Sequence, residues 1–247
     1  MNVSVGIVTR NGTKATIGAA FSALGGTDDV LVVNNDCHDA HLLAMRTLAA
    51  TTDGIRLVDF DKSMGLAKCF NTILRAAKHD WVVIANDDVR FDKGWKDTLL
   101  ATMKECSKAQ HIVMAYPRNR YACFAMSKAL VARIGWWDER FTGYFYEDED
   151  WHLRLSEATG RHVGKDWVAG RRDGIMAICE CVLHDQKLQD SGAGGGLSAA
   201  ANAEHFKRKW AACDDGWWTK GKVDGRYRKM RRVLPEVATH GEDRTPC

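Results

Sequence analysis

The stretch Trp81-Val82-Val83-Ile84-Ala85-Asn86-Asp87-Asp88-Val89 constrains the fold more than any other part of the chain. An unbroken apolar run this short predicts a strand covered on both faces, as in a parallel sheet flanked by helices. Asp87 and Asp88 then stand where that strand leaves the sheet, and crevices at the carboxyl ends of strands are where open α/β sheets take ligands. Two adjacent carboxylates at a partly dry position are costly unless something positive joins them, and a divalent cation is the usual partner. The plain alternative is a solvated turn that leads into a helix N-cap.

The residues before this stretch repeat its pattern. Apolar runs at 3–8, 29–33, 55–60 and 81–85 predict strands, and 13–24, 38–50 and 65–77 predict helices between them. A β-α-β-α-β-α-β order argues a doubly wound, mainly parallel sheet with helices on both faces. Neither Gly-x-Gly-x-x-Gly nor Gly-x4-Gly-Lys-Ser/Thr is present, so the two commonest nucleotide loops are missing. Polar triplets follow the first two strands instead: Thr9-Arg10-Asn11 and Asn34-Asn35-Asp36. Such groups can read a nucleobase and ribose by hydrogen bonding, although Asn and Asp are also ordinary turn formers.

The second half changes character. A surface helix is predicted over 93–106, strands over 111–116 and 121–126, and a helix over 127–134 that Ser127 caps and Gly135 stops. Four consecutive acids, Glu147-Asp148-Glu149-Asp150, then open a helix beside Trp136, Trp137, Tyr144, Phe145 and Tyr146. The helix dipole favours acids at that end, and Asp150 with Arg154 makes an i,i+4 ion pair. Capping needs one or two acids, and partial burial among aromatics would raise a carboxylate's pKa and suit it to take a proton. His184 ends the apolar strand predicted over 178–183, and the glycine-rich 188–200 reads as a mobile loop, a lid or a plain linker.

Charge is distributed unevenly. Between 202 and 234 ten Lys/Arg face four Asp/Glu, a net of +6 that leaves −3 for the rest of a chain of net +3. The basic segment carries Lys207-Arg208-Lys209-Trp210 and Arg226-Tyr227-Arg228-Lys229-Met230-Arg231-Arg232, a mixture that suits an anionic partner. The eight cysteines are irregularly spaced with no Cys-x-x-Cys, and Cys179-Glu180-Cys181 lacks two further matched zinc ligands. Free thiols, no signal-peptide pattern and no apolar run of membrane-spanning length predict a cytoplasmic protein.

Six segments together carry a resemblance. They are Ile7-Val8-Thr9-Arg10-Asn11, Val32-Val33-Asn34-Asn35, Met64-Gly65-Leu66-Ala67-Lys68-Cys69-Phe70-Asn71, Ile84-Ala85-Asn86-Asp87-Asp88-Val89, the block from Ile134 to Phe141, and Glu147 to Arg154. In order and spacing the chain resembles the family 2 type of GT-A-fold glycosyltransferases over roughly residues 3–190. The resemblance implies a Rossmann-like, mixed but mainly parallel sheet flanked by helices, spanning 1–200, with a nucleotide-sugar half (1–110) and an acceptor half (111–200). A basic, helical C-terminal extension would occupy 201–247.

It also implies roles. Thr9, Arg10, Asn11 and Asn34 would line the nucleoside pocket, and Gly65, Lys68 and Asn71 would close it. Where the family often has Asp to pair with the imide N–H of uracil, this chain has Asn34, which favours a UDP-sugar. Asn86-Asp87-Asp88 would stand for the family's Asp-x-Asp, with Asn at its first position as a departure. Asp88 and His184 would then hold Mn²⁺ or Mg²⁺, and Asn86 and Asp87 would face the ribose or sugar. Asp148 matches the catalytic base of an inverting displacement, with Glu147 and Asp150 near enough to share that work. Trp136, Trp137 and Tyr146 would form an acceptor platform or simply pack the core.

The acceptor stays open between a glycan or lipid-linked sugar and a hydroxymethylated base in DNA, the latter suggested by the basic segment. A nucleotidyltransferase also uses strand-end carboxylates and a metal, but Thr9-Arg10-Asn11-Gly12-Thr13-Lys14 is a poor version of its glycine-rich basic loop. A non-catalytic binding protein is disfavoured by the presence of Asp88, Asp148 and His184 together.

Overall fold

The computed structural model describes residues 1–115, 121–159, 176–179, 181–184 and 195–210. The first seven elements are β1 (Val3–Thr9), α1 (Thr13–Leu24), β2 (Val30–Asn35), α2 (Asp39–Thr51), β3 (Ile55–Phe60), α3 (Gly65–Ala76) and β4 (Trp81–Asn86). All agree with the apolar pattern to within two residues at either end. Next come β5 (Val89–Phe91), α4 (Trp95–Glu105), β6 (His111–Val113), β7 (Cys123–Ser127) and α5 (Lys128–Ile134). The last described elements are α6 (Glu147–Thr159), β8 (Met176–Ile178), β9 (Val182–His184) and α7 (Gly195–Lys209).

Seven strands form one sheet in the order β3-β2-β1-β4-β7-β6-β8. The β3-β2-β1-β4 part is parallel, β7 runs antiparallel to both β4 and β6, and β8 is parallel to β6. Every residue of β1 and β2 is buried, as unbroken apolar strands require, whereas the edge strand β3 is half-exposed. Apolar side chains of α1, α2 and α4 pack on one face and those of α3, α5 and α6 on the other. The expected α/β sandwich with a mixed, mainly parallel sheet is therefore present.

Three departures have local causes. The apolar stretch near 178–183 divides between two sheets: β8 joins the main one, while β9 pairs antiparallel with β5. Of the glycine-rich 188–200, positions 195–200 are the first turns of α7, and the remainder lies outside the described residues. Helix α7 also runs through the boundary expected between 200 and 201. Asn202, Phe206 and Lys209, at helical spacing i, i+4 and i+7, are all buried, so this stretch packs with the body of the molecule.

Ser127 caps α5 as its sequence suggests, its hydroxyl accepting from the Leu130 N–H at 3.1 Å. Beyond the other end, the buried Arg154 guanidinium donates to the carbonyls of Ile134, Gly135 and Trp136 at 3.1, 3.3 and 3.0 Å. Arg154 thus ties the end of α5 to α6. No disulfide joins the six described cysteines, and Cys213 and Cys247 lie outside the described residues. No described helix is long and apolar enough to cross a membrane.

Candidate active site

The carboxyl ends of β1, β2 and β4 bring the expected donor residues together. Asp87 and Asp88 form the turn between β4 and β5. Thr9, the last residue of β1, donates its hydroxyl to Asp87 Oδ2 at 2.8 Å, and Thr16 of α1 reaches the same oxygen at 3.5 Å. Thr9 and Thr16 are also 2.6 Å apart. Gly12 lets this approach happen, because a Cβ there would lie 2.7 Å from Asp87 Oδ2. Burial pushes the Asp87 carboxyl up to about 6, with the neighbouring Asp88 adding to it and the Thr9 hydroxyl opposing it.

His41 completes this layer and is not evident from sequence motifs. Its Nε2 lies 3.3 Å from Thr9 Oγ1 and its Nδ1 2.8 Å from Thr13 Oγ1. Burial lowers its pKa, which favours the neutral imidazole. The available signal was its place in the buried stripe His41, Met45, Leu48 of α2, where a histidine among apolar neighbours needs polar partners.

Arg10 and Asn11 lie in the loop after β1. Asn11 adopts φ 64°, its N–H meets Cys37 Sγ at 3.2 Å, and its Oδ1 accepts from His38 N at 2.7 Å. Arg10 is 3.8 Å from Asp36. These contacts join the loops at the ends of β1 and β2. Asn34 ends almost fully buried beside Thr9 and Asp59, its partners in strand register. Asn86 closes β4, its backbone N–H donating to Ala122 O at 2.8 Å.

The small second sheet brings together the chain segments that carry the two expected metal ligands. Pairing of β5 with β9 sets His184 opposite Val89, so the backbone at His184 runs beside the residue that follows Asp88. Asp88 is itself 2% exposed. Among the described residues no cluster of three or more metal-ligating side chains is assembled. The residues present nevertheless fit a divalent cation. Asp87 is pushed toward its protonated form by burial first and then by Asp88, and a cation beside the pair would hold both carboxylates ionised.

The other expected closing residues divide. Gly65, at φ +70°, brings the start of α3 against the 141–143 loop, where an added Cβ would lie 2.7 Å from Gly143 N. Lys68 is paired with Glu139 at 3.1 Å. Asn71 does not face a pocket: it is fully buried, donates to Trp137 O and Glu139 Oε1, and accepts from Trp137 N. Its amide fastens α3 to the segment after α5, so the expected nucleotide contact is corrected to a structural brace.

The acceptor half is sorted by the same test. Trp137 is fully buried, stacks on Trp151 with ring centroids 4.4 Å apart and meets Phe70 edge-on at 4.9 Å. It is core and cannot serve as an acceptor platform. Trp136 is partly buried with the Arg75 guanidinium 4.7 Å over its ring. Tyr146 is partly buried and packs against Phe206 of α7.

Among the four acids of α6, Asp150 is fully buried and committed. Its Oδ2 takes Arg154 Nε at 3.0 Å, and its Oδ1 takes Lys209 Nζ at 2.7 Å and Trp210 Nε1 at 2.8 Å. With both oxygens held by donors it has no access to an acceptor hydroxyl and is removed from the base assignment. Lys209 also reaches Asp138 at 2.9 Å, and Arg140 and His205 reach it at 2.7 and 3.2 Å. Burial pushes Asp138 up, but Arg140, Lys209 and His205 overcome it and hold the carboxyl well below the usual range. Lys209 and Trp210 are therefore interior residues and drop out of the basic surface expected for an anionic partner. Glu147 is buried, and that burial, reinforced by Asp148, raises its pKa. Asp148 is the more accessible of the two.

Just before α6 the backbone is unusual. Phe145 and Tyr146 take φ 76° and 72°, a region bulky side chains rarely enter. Asn202 of α7 holds this loop, donating to the carbonyls of Thr142, Tyr144 and Phe145 at 2.9–3.0 Å and accepting from Thr142 N at 3.0 Å. Strain of this kind persists where the surroundings over-determine it, as they do here.

Comparison with known proteins bears on this arrangement. Residues 4–166 match the family model "Glycosyl transferase family 2". No curated protein sequence matches the chain. Among solved structures, GalNAc-T7 with UDP, GalNAc and Mn²⁺ aligns with a TM-score of 0.59 at 11% identity, over 85% of this chain and 49% of that one. S. aureus TarS 1–349 in complex with UDP-GlcNAc aligns with a TM-score of 0.58 at 13% identity, over 81% and 66%. The mannosyltransferase PcManGT from Pyrobaculum calidifontis, with GDP-Man and Mn²⁺, gives 0.51 at 19% identity, over 72% and 56%. The chain thus spans about half to two thirds of the length of these structures, and at such identities the likeness is one of fold. With two thirds of its length under one family model and a GT-A-like sheet, the chain belongs to glycosyl transferase family 2.

Proposed function

We propose that the chain transfers a sugar from a nucleotide sugar, with a UDP-sugar favoured, to an acceptor hydroxyl with inversion at the anomeric carbon. The observation that carries this reading is the junction of β4, β5 and β9, which gathers Asp87, Asp88 and the chain at His184 at one strand end. The solved structures above that hold UDP or GDP-Man with Mn²⁺ support it by likeness of fold. Asp88 and His184 would hold Mn²⁺ or Mg²⁺, which when bound neutralises charge on the leaving diphosphate. Thr9 orients Asp87 within the donor pocket. Asp148, at the accessible start of α6, accepts the acceptor's proton as the hydroxyl oxygen bonds to the anomeric carbon and the bond to the diphosphate breaks. Buried Glu147 beside it is pushed toward holding its own proton, which leaves Asp148 as the base.

The product distinguishes this from nucleotidyl transfer. Incubation of the protein with UDP-sugars and Mn²⁺ releases nucleoside diphosphate under this reading and pyrophosphate under the other. For the DNA-base acceptor, Lys209 and Trp210 offer no surface contact because both are buried, and the rest of the basic segment, 211–247, lies outside the described residues. A glycan or lipid-linked sugar is the first reading of the acceptor, and a hydroxymethylated base in DNA is the second. Transfer to DNA carrying hydroxymethylated bases, measured beside a glycan panel, decides between them.

A further inference from the structure

Arg90, the middle residue of β5, has no part in the chemistry described so far. Its guanidinium is partly buried and is spent on main-chain carbonyls. Nη1 donates to Ala15 O and Val89 O, each at 2.9 Å, and reaches Asp87 O at 3.5 Å. Gly18 makes room for it from the middle of α1. A Cβ there would lie 2.6, 2.7 and 2.8 Å from Arg90 Nη2, Cζ and Nε. Glycine inside a helix is unfavourable relative to alanine, and here the guanidinium accounts for it. These contacts join separate pieces of the site. Asp87 and Val89 flank Asp88, and Ala15 belongs to α1. β5 has three residues and forms a two-stranded sheet with the three of β9, and so short a ribbon is marginal on its own. Two polar contacts seat it on α1: the Arg90 clip, and the Phe91 N–H donating to Ser22 Oγ at 3.1 Å. Val89 is in register with His184, so the seating of β5 also sets where β9 brings His184.

We infer that Arg90 is a positioning residue for cation binding: by clipping the carbonyls on both sides of Asp88 to α1, it fixes the segments that carry Asp88 and His184 relative to one another. This inference rests on the donor-site reading above. The contribution is one of shape rather than charge. A guanidinium presents its donors in a fixed planar fork that can serve several carbonyls at once. A lysine ammonium would keep the charge but could not span the same carbonyls from the same place. Groups that orient metal ligands from outside the coordination sphere carry ~10–100-fold in metal affinity, and Arg90 would act at that scale.

The test is calorimetric titration of UDP, with and without Mn²⁺, into the natural chain and into R90M, R90K and G18A, beside the melting temperature of each metal-free protein. The tightening that Mn²⁺ brings to the natural chain is expected to fall ~10-fold in all three variants, with metal-free UDP binding retained. G18A is the decisive variant. It keeps every charge, and alanine is the better helix former, so its melting temperature should not drop, while its methyl displaces the end of the Arg90 side chain. A full Mn²⁺ gain in either G18A or R90K would overturn the inference, because displacing the fork or keeping only its charge would then cost nothing. Metal-free UDP binding that weakens in step with the Mn²⁺ gain, with lowered melting in all three variants, would also overturn it and leave Arg90 a residue of the fold alone. No Mn²⁺ gain in the natural chain would instead overturn the donor-site reading itself.

Discussion

Asp29 precedes β2 and Asp87 follows β4, so two carboxylates of one chemical type stand at opposite ends of the same parallel strands. Asp29 is fully buried and fully served: Ser4 Oγ at 2.6 Å, Lys78 N at 2.9 Å, and Arg56 through Nε and Nη2 at 3.0 and 2.7 Å. Burial pushes its pKa up, but these partners win and lower it. Asp87 has the Thr9 and Thr16 hydroxyls as side-chain partners, and there burial wins. The amino edge of the sheet compensates its charge within the protein. The carboxyl edge keeps charge that a cation would complete. The acids of α6 repeat the contrast one residue type at a time: Asp150 is enclosed by Arg154, Lys209 and Trp210, while Glu147 is buried beside Asp148 and raised.

The contrast breaks most visibly at α6. D148N is expected to lower the transfer rate by ~10²–10⁴-fold with nucleotide binding retained, measured as turnover beside UDP titration. Unchanged turnover would move the base to Glu147. Next in size is K209M, which leaves Asp138 and Asp150 without their shared buried cation. It should cost ~3–5 kcal/mol in urea unfolding, where an exposed tail lysine would cost almost nothing.

Smaller effects separate the two sheet edges directly. D29N should lose ~1–3 kcal/mol, by leaving Arg56 without its charged partner. D87N should leave the metal-free fold as stable or ~1 kcal/mol more stable at pH 7, because it removes a charge that burial disfavours. Their pH profiles should part in opposite directions. Asp29 has a lowered folded pKa, so its stabilisation is complete above the ordinary carboxylate range near ~4 and drains as pH falls through the folded value. Asp87 has a raised one, so the metal-free fold loses stability as pH climbs from ~4 through about 6. Melting temperatures across pH 3–8 should show D29N flattening the acid limb and D87N removing the decline toward neutrality. Parallel curves would dissolve the distinction.

The alternating first half was legible because its strands are buried on both faces and print that burial as unbroken apolar runs. Strand direction was not: nothing in 121–126 says that β7 runs against β4, since direction depends on how the chain returns. Three-residue strands such as β5 and β9 carry no period to detect, so the pairing that sets His184 beside Val89 had no sequence signal. Trp137 was ambiguous for a physical reason, as an indole suits a stacked core and an exposed platform equally well. Asp150 showed its local partner, Arg154, through i,i+4 spacing. Lys209 and Trp210 arrive from a distant helix that the glycines at 192 and 194–196 concealed.

The central claim is that Asp88 and its surroundings form a cation-assisted nucleotide site. Calorimetric titration of UDP into the natural chain and into D88A, each with and without Mn²⁺, tests it most directly. Binding that tightens at least ~10-fold with Mn²⁺ in the natural chain, and loses that gain in D88A, is the expected result. Equal Mn²⁺ dependence in both proteins, or none in either, would contradict it.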